Sequence, residues 1–251
     1  MKKILFALLL LYLPFVLYAR KIYVTRHAQV GDKNMIHKPS GERMITSLGK
    51  KQAALLADYL VNVKKFNGTI CVSPFYRTIE TGIFVADKLE KKVFLEPGIQ
   101  EIAPGGKGKF MKGADIAKYF SAKTLPGSAF NDNWRLSHED SAARQERVNK
   151  AAARILKEIK GDILLVSHGG TCTNIVNALN SRNIEGVKPV KGMPWNCVLF
   201  IFELDEKDRV ISSVYTTEYM SDDMVTNNFK VPKIPKPDDS RYEIPKKKIK
   251  K

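Results

Sequence analysis

Cysteine is scarce in this chain: three in 251 residues, at positions 71, 172 and 197. The number is odd and no Cys-x-x-Cys pair occurs, which argues against a disulfide framework and against a zinc-type site. All three read instead as buried thiols, packed as small apolar groups. Histidine is equally sparse, with four residues at 27, 37, 138 and 168 and no metal-ligand spacing, so no metal is expected. Acidic residues are outnumbered 26 to 42, giving a net charge of +16. Much of that excess lies in residues 230–251, which hold nine basic and three acidic residues. Aromatics are almost missing there, since Tyr242 alone follows Phe229. Without base stacking, nucleic acid is not an expected partner, and electrostatic contact with an anionic surface is the use left for this tail. The longest apolar run, residues 4–19, falls short of the roughly 20 residues that span a bilayer. No internal repeat is present.

What is there begins with that run. Lys2 and Lys3 precede it, Pro14 breaks it, and Leu17-Tyr18-Ala19 ends on a small residue. Residues 1–19 therefore read as a cleaved signal peptide and the protein as exported, periplasmic or secreted; the alternative is an uncleaved membrane anchor. A catalytic domain is expected over residues 20–220. A basic tail rich in proline and lysine, poorly ordered, follows over 221–251.

Within the domain, short β-branched runs at 22–24, 69–72, 93–95 and 163–166 read as strands, followed by two more at 197–203 and 210–216. Apolar stripes at three- and four-residue spacing predict helices over 46–66, 76–90, 141–160 and 170–179, with a shorter one over 114–120. Strands alternating with helices give an α/β fold: a mostly parallel central sheet with helices on both faces. Three strands end in polar residues suited to an anion. Thr25-Arg26-His27-Ala28 follows the first, Ser73-Pro74-Phe75-Tyr76-Arg77 the second, and Ser167-His168-Gly169-Gly170 a later one. Ligands bind at the carboxyl ends of strands in open α/β sheets. Arginine offers a planar fork of donors that matches phosphate, and a neutral imidazole is a nucleophile near pH 7.

Together these motifs resemble the histidine phosphatase superfamily, also called the phosphoglycerate mutase-like family (branch 1), over residues 21–217. Thr46-Ser47-Leu48-Gly49 before Gln52-Ala53, and Asn196 before the fifth strand, agree with it. The resemblance implies a three-layer sandwich. It makes His27 the nucleophile that becomes a phosphohistidine, Arg26 and Arg77 the phosphate-binding arginines, and His168 a second imidazole that donates to the phosphoryl oxygens. Glu101 matches the general acid, with Glu96 as the fallback. Gly169 and Gly170 are expected to permit a tight turn into the next helix. Residues 121–138, which hold Trp134, would form a lid. His37 and His138 match no motif and read as solvated loop residues.

Two departures stand out. Ala28 replaces the commoner glycine, and the longer signature of true phosphoglycerate mutases is not recognisable in residues 101–112. The expected activity is therefore hydrolysis of a phosphate monoester, with no cofactor. The alternatives are a phosphotransferase or mutase of the same fold, or a non-catalytic phosphate-binding surface protein. Specificity is expected in residues 32–43, 105–112 and 124–138, where Lys107, Lys109 and Lys112 hint at a further anionic group on the substrate. The leader makes one prediction. The intact mass of the mature protein should place its first residue at Arg20, and a mass that retains the Ala19–Arg20 junction would refute cleavage there.

Overall fold

The computed structural model describes residues 19–31, 36–37, 42–101, 116, 118, 120, 122–125 and 139–227. Outside them lie residues 1–18 of the expected signal peptide, residue 121 and residues 126–138 of the expected lid, with Trp134 and His138, then Lys107, Lys109 and Lys112, and the tail beyond 227. The strands are β1 (Arg20–Arg26), β2 (Ile36–His37), β3 (Glu42–Arg43), β4 (Thr69–Val72), β5 (Phe94–Leu95), β6 (Ile163–Ser167), β7 (Leu199–Leu204) and β8 (Val210–Thr216). The helices are α1 (Ser47–Asp58), α2 (Tyr76–Lys88), α3 (Ser141–Glu158) and α4 (Gly169–Asn180).

Six strands form one mixed sheet in the order β5-β4-β6-β1-β7-β8, and β2 pairs with β3 as a separate ribbon. β5, β4, β6 and β1 run parallel, while β7 and β8 join antiparallel at the far edge. The sheet is thus mostly parallel at its centre, and a terminal hairpin closes one side. β1 lies between β6 and β7, so Ile22, Tyr23 and Val24 are buried. That is why its sequence is a continuous apolar run rather than an alternation. β6 is likewise central and buried along its whole length.

The insertion of β6 between β1 and β4 creates the feature that matters. Arg26 pairs with Ser167, and Val72 with Val166, so three carboxyl ends stand in one row. The chain leaves each end by a hydrogen bond to the same strand. His27 N–H donates to the Ser167 carbonyl at 2.9 Å, and Ser73 N–H donates to that of Val166 at 3.0 Å.

Helix α1 begins at Thr46, whose side chain accepts from Gly49 N–H and caps it. A Cβ on Gly49 would stand 2.3 Å from the Gln29 carbonyl oxygen, so glycine is what lets α1 approach the loop after β1. The helix expected to reach residue 66 loosens into a π turn at Tyr59–Val63 and stops at Lys65, where φ is 56°. The stop turns Phe66 into the core, edge-on to Tyr23 with ring centroids 5.4 Å apart. At the other end of β1, the buried side chain of Arg20 donates to the Leu156 and Ile159 carbonyls that end α3 and pairs with Asp208.

Residues 221–227, assigned by composition to the tail, pack on the domain instead. Thr226 is fully buried and accepts from Gln52 Nε2 at 2.9 Å, while Asn196 N–H donates to its carbonyl. The three cysteines are buried and form no disulfide. Burial pushes the Cys172 thiol up to about 12. Among the described residues no helix is long and apolar enough to cross a membrane.

The segment after β5 is fixed to α3 by charge. Glu96 is fully buried, and both its oxygens accept from Arg154 Nη2, at 2.6 and 2.7 Å. Its Oε1 also accepts from Gly98 N–H at 2.6 Å. Arg147 donates to the carbonyls of Gly98 and Gln100 and pairs with both oxygens of Glu139. The two halves of the Glu96–Arg154 pair are unequal, because Arg154 is 46% exposed and Glu96 only 1%. Removing the arginine strands a buried carboxylate; removing the acid leaves a cation that water can reach. Arg154→Ala should lower unfolding stability by about 3 kcal/mol, and Glu96→Gln by about 1 kcal/mol. Denaturant titration of both variants checks the order, and equal losses would refute the asymmetry.

Candidate active site

The row of strand ends assembles five side chains foreseen from the sequence. His27 and His168 lie with ring centroids 5.4 Å apart, at 61° to each other. Arg77 Nη2 donates to His168 Nδ1 at 3.0 Å and lies 3.9 Å from Glu101 Oε2. Glu101 Oε2 is 3.6 Å from His168 Nδ1. Arg26 ends β1, directly before His27, and its guanidinium lies over Gly169. Glu96 is not among them: its carboxylate is committed to Arg154, whereas that of Glu101 is about a third exposed beside both Arg77 and His168.

Partners fix the tautomers. His27 Nδ1 stands 2.8 Å from the Ala28 carbonyl, which can only accept, so Nδ1 carries the proton and Nε2 the lone pair. His168 has the opposite arrangement. Its Nδ1 accepts from Arg77, so Nε2 carries the proton and donates to Ser73 Oγ at 2.8 Å. These assignments hold for neutral rings, and the surroundings favour that form in both. Burial is the first cause that holds each well below the ordinary range, and the charges of Arg77 and Arg26 add to it. The expectation that His168 donates to an anion needs one amendment. The nitrogen on the arginine side has no proton until one is supplied.

The backbone that carries His27 is clamped from several elements. Ala28 N–H donates to Thr81 Oγ at 3.0 Å, and Thr81 Oγ donates to the Arg77 carbonyl one helical turn before it. Asn196 Nδ2 donates to the His27 carbonyl at 2.8 Å. Gln52 Oε1 accepts from Gln29 N–H at 2.8 Å, and Gln52 Nε2 reaches Thr226 and the Met224 carbonyl. Phe75 packs edge-on to the His168 ring at 4.9 Å and lies under the Arg77 guanidinium at 4.7 Å. Arg26 Nη1 donates to Asn227 Oδ1 at 2.5 Å and to the Pro194 carbonyl at 3.3 Å, while its Nε is buried and unpaired.

Sequence reasoning missed Thr81, Thr226 and Asn227. Thr81 had a signal, since it stands four residues after Arg77 on the same helix face. The other two had none, because composition placed them beyond the domain. Arg43, on the β2–β3 ribbon, adds a further positive charge acting on His27 and Arg77.

The site thus gathers two buried imidazoles, two arginines and a carboxylate at the carboxyl edge of an α/β sheet. That combination defines a phosphoryl-handling class of protein. A family model described as histidine phosphatase superfamily (branch 1) matches residues 22–217, and the chain belongs to that superfamily. Solved structures share the fold. The ecdysone phosphate phosphatase of Bombix mori, in complex with tungstate, is 18% identical, with a TM-score of 0.58 over 80% of this chain and 93% of that one. A mycobacterial glucosyl-3-phosphoglycerate phosphatase is 18% identical, with a TM-score of 0.51 over 83% of this chain and 99% of its own. A putative alpha-ribazole-5'-P phosphatase of Escherichia coli is 16% identical, with a TM-score of 0.51 over 79% and 95%. A search by sequence among curated proteins found no match.

The depressed imidazoles set a pH dependence for the ligand-free protein. A histidine whose pKa is lower folded than unfolded binds more protons in the unfolded chain, so stability is lost as pH falls. The loss should begin near the ordinary imidazole value, about 6.5. Stability measured by denaturant titration should therefore drop between pH 7 and 5, and His27→Asn should flatten that slope. A slope unchanged by His27→Asn would show that this imidazole is not held neutral by the fold.

Proposed function

We propose that this protein is a phosphomonoesterase that works through a phosphohistidine on His27 Nε2. The observation that carries the reading is the tautomer: Nδ1–H is tied to the Ala28 carbonyl, so the lone pair is on Nε2, among arginines. Superfamily membership supports it, and so do the structural neighbours, which are described as phosphatases. The superfamily also contains mutases, and release of inorganic phosphate separates the two outcomes.

In the first step His27 Nε2 attacks phosphorus, the P–N bond forms and the P–O ester bond breaks. Arg26 and Arg77 meet the charge on the equatorial oxygens, which is most of the catalytic task in phosphoryl transfer. The departing alkoxide takes a proton from Glu101. In the second step water attacks phosphorus, its proton passes to Glu101, the P–N bond breaks and His27 is restored. Arg77 gives up its bond to His168 Nδ1 when phosphate arrives. That nitrogen donates once it has taken a proton, which a monoanionic ester brings with it. Glu101 suits the acid role because its carboxylate is partly exposed within the site, unlike that of Glu96. Export through the amino-terminal leader completes the reading, with the substrate met outside the cytoplasm.

The test is phosphoenzyme trapping on the mature chain with a labelled aryl phosphate. An acid-labile, alkali-stable label should form, disappear in His27→Ala, and accompany steady phosphate release. Turnover that survives His27→Ala would overturn the assignment. Glu101→Gln should lower kcat for an alkyl phosphate by about 100-fold. For p-nitrophenyl phosphate, whose leaving group needs no proton, it should lower kcat far less. Equal losses would remove Glu101 from the acid role.

A further inference from the structure

Two glycines open α4, and each carries an arginine. Neither Gly169 nor Gly170 has a positive φ, so the expected turn flexibility is not what they supply. Gly170 supplies room. A Cβ on Gly169 would stand 3.5 Å from Cζ and Nη1 of Arg26, an ordinary contact that places this guanidinium beside the helix. A Cβ on Gly170 would stand 2.9 Å from Nη1 of Arg144 and 3.5 Å from its Cζ. Arg144 therefore lies on the first turn of α4, one residue along from the glycine that bears Arg26 and two from His168.

The two arginines share a second property. In each the Nε is buried and unpaired, and among the described residues these are the two arginine nitrogens found so. A buried donor of a charged group left unpaired is costly and points to a missing partner. The acids within five residues of Arg144 in the chain are already engaged. Glu146 is paired with Lys150, Glu139 with Arg147, and Asp140 caps α3 by accepting from Ala143 N–H. The helix end beside it favours negative charge as well.

The large cleft on α3, about 590 Å³, offers no comparable opportunity. Its cations Arg147, Lys150 and Arg154 are paired with Glu139, Glu146 and Glu96.

We infer that Arg144 is a further anion-binding arginine beside the same site, and that the substrate is a phosphomonoester whose alcohol part carries a second negative group, a carboxylate or another phosphate. The inference rests on the phosphatase reading. Arg26 and Arg77 meet the transferred phosphoryl group, which leaves Arg144 for charge elsewhere on the same molecule. Arg144 thereby sets specificity without taking part in the bond-breaking step.

The experiment compares kcat/KM for three esters on the mature chain: glycerol 3-phosphate, 3-phosphoglycerate and propane-1,3-diol bisphosphate. The wild type should favour at least one of the two acidic esters over glycerol 3-phosphate by tenfold or more, and which one identifies the second group. Arg144→Ala should lower that ratio at least tenfold, and Arg144→Lys should restore part of it. Gly170→Ala should lower the ratio too, because the new Cβ displaces the guanidinium. Gly170 already has a helical φ that alanine adopts without strain, so that variant guards against loss of folding. No preference in the wild type, or equal losses on neutral and acidic esters in Arg144→Ala, would overturn the inference. If the wild type turns over none of the three, the phosphatase reading is what has failed, and calorimetry with inorganic phosphate and pyrophosphate decides the subsite. Tighter binding of pyrophosphate that Arg144→Ala abolishes sustains it, and equal affinities remove it.

Discussion

A histidine buried among arginines must stay neutral, and the architecture of this site follows from that constraint. Neutrality is set twice over. Loss of water disfavours the charged ring, and the guanidinium of Arg77 disfavours it again at close range. A protonated His27 would have no lone pair to offer phosphorus. The hydrogen bond from Nδ1 to the Ala28 carbonyl then leaves the lone pair on Nε2, using a residue whose own N–H is held by Thr81. His168 is oriented oppositely by Ser73 and Arg77, so the two rings play different parts although their burial is alike.

Such a site tolerates little movement, and the surrounding bonds show where rigidity comes from. The residues after β1 are gripped by α2 through Thr81, by the approach to β7 through Asn196, and by α1 through Gln52. Each clamp comes from a different part of the chain, so no single loop carries the geometry. Glu96 and Arg154 do similar work for the segment leading to Glu101. Their pair is buried at the carboxylate end and fastens the 97–99 turn against α3, five residues before the catalytic candidate.

Much of this could be read from the sequence, and the reason is local. β1, β4 and β6 are buried on both faces, so their apolar runs are unbroken, and the polar residues that end them are the site. The choice between Glu101 and Glu96 was not local. Both lie in one short stretch of similar composition, and what separates them is an arginine 58 residues further on. Residues 221–227 escaped for a similar reason: their polar, sparsely apolar sequence reads as tail, yet Thr226 is buried by Gln52 and Asn196. The glycines after His168 show a different limit. A glycine in sequence suggests a turn, but Gly169 and Gly170 are ordinary helical residues, and at Gly170 the missing side chain leaves space for the Arg144 guanidinium.

The balance of charge gives the site its character. Arg26, Arg43 and Arg77 act on His27, and Glu101 is the carboxylate beside the imidazole pair. Like charges gathered where burial limits solvation repel, and unpaired buried donors add to the cost. The fold offsets this elsewhere, through a sheet core filled by Tyr23, Phe66, Phe200 and Phe202 and through the paired charges along α3. A bound phosphoryl group would relieve the repulsion and satisfy the donors together. The same binding would raise the affinity of His168 for a proton, since the anion counters the arginines that now suppress it. Substrate binding and protonation of the second histidine are therefore linked. The ring that accepts a bond from Arg77 would become a donor once an anion offsets the arginine charge and the ring takes up a proton.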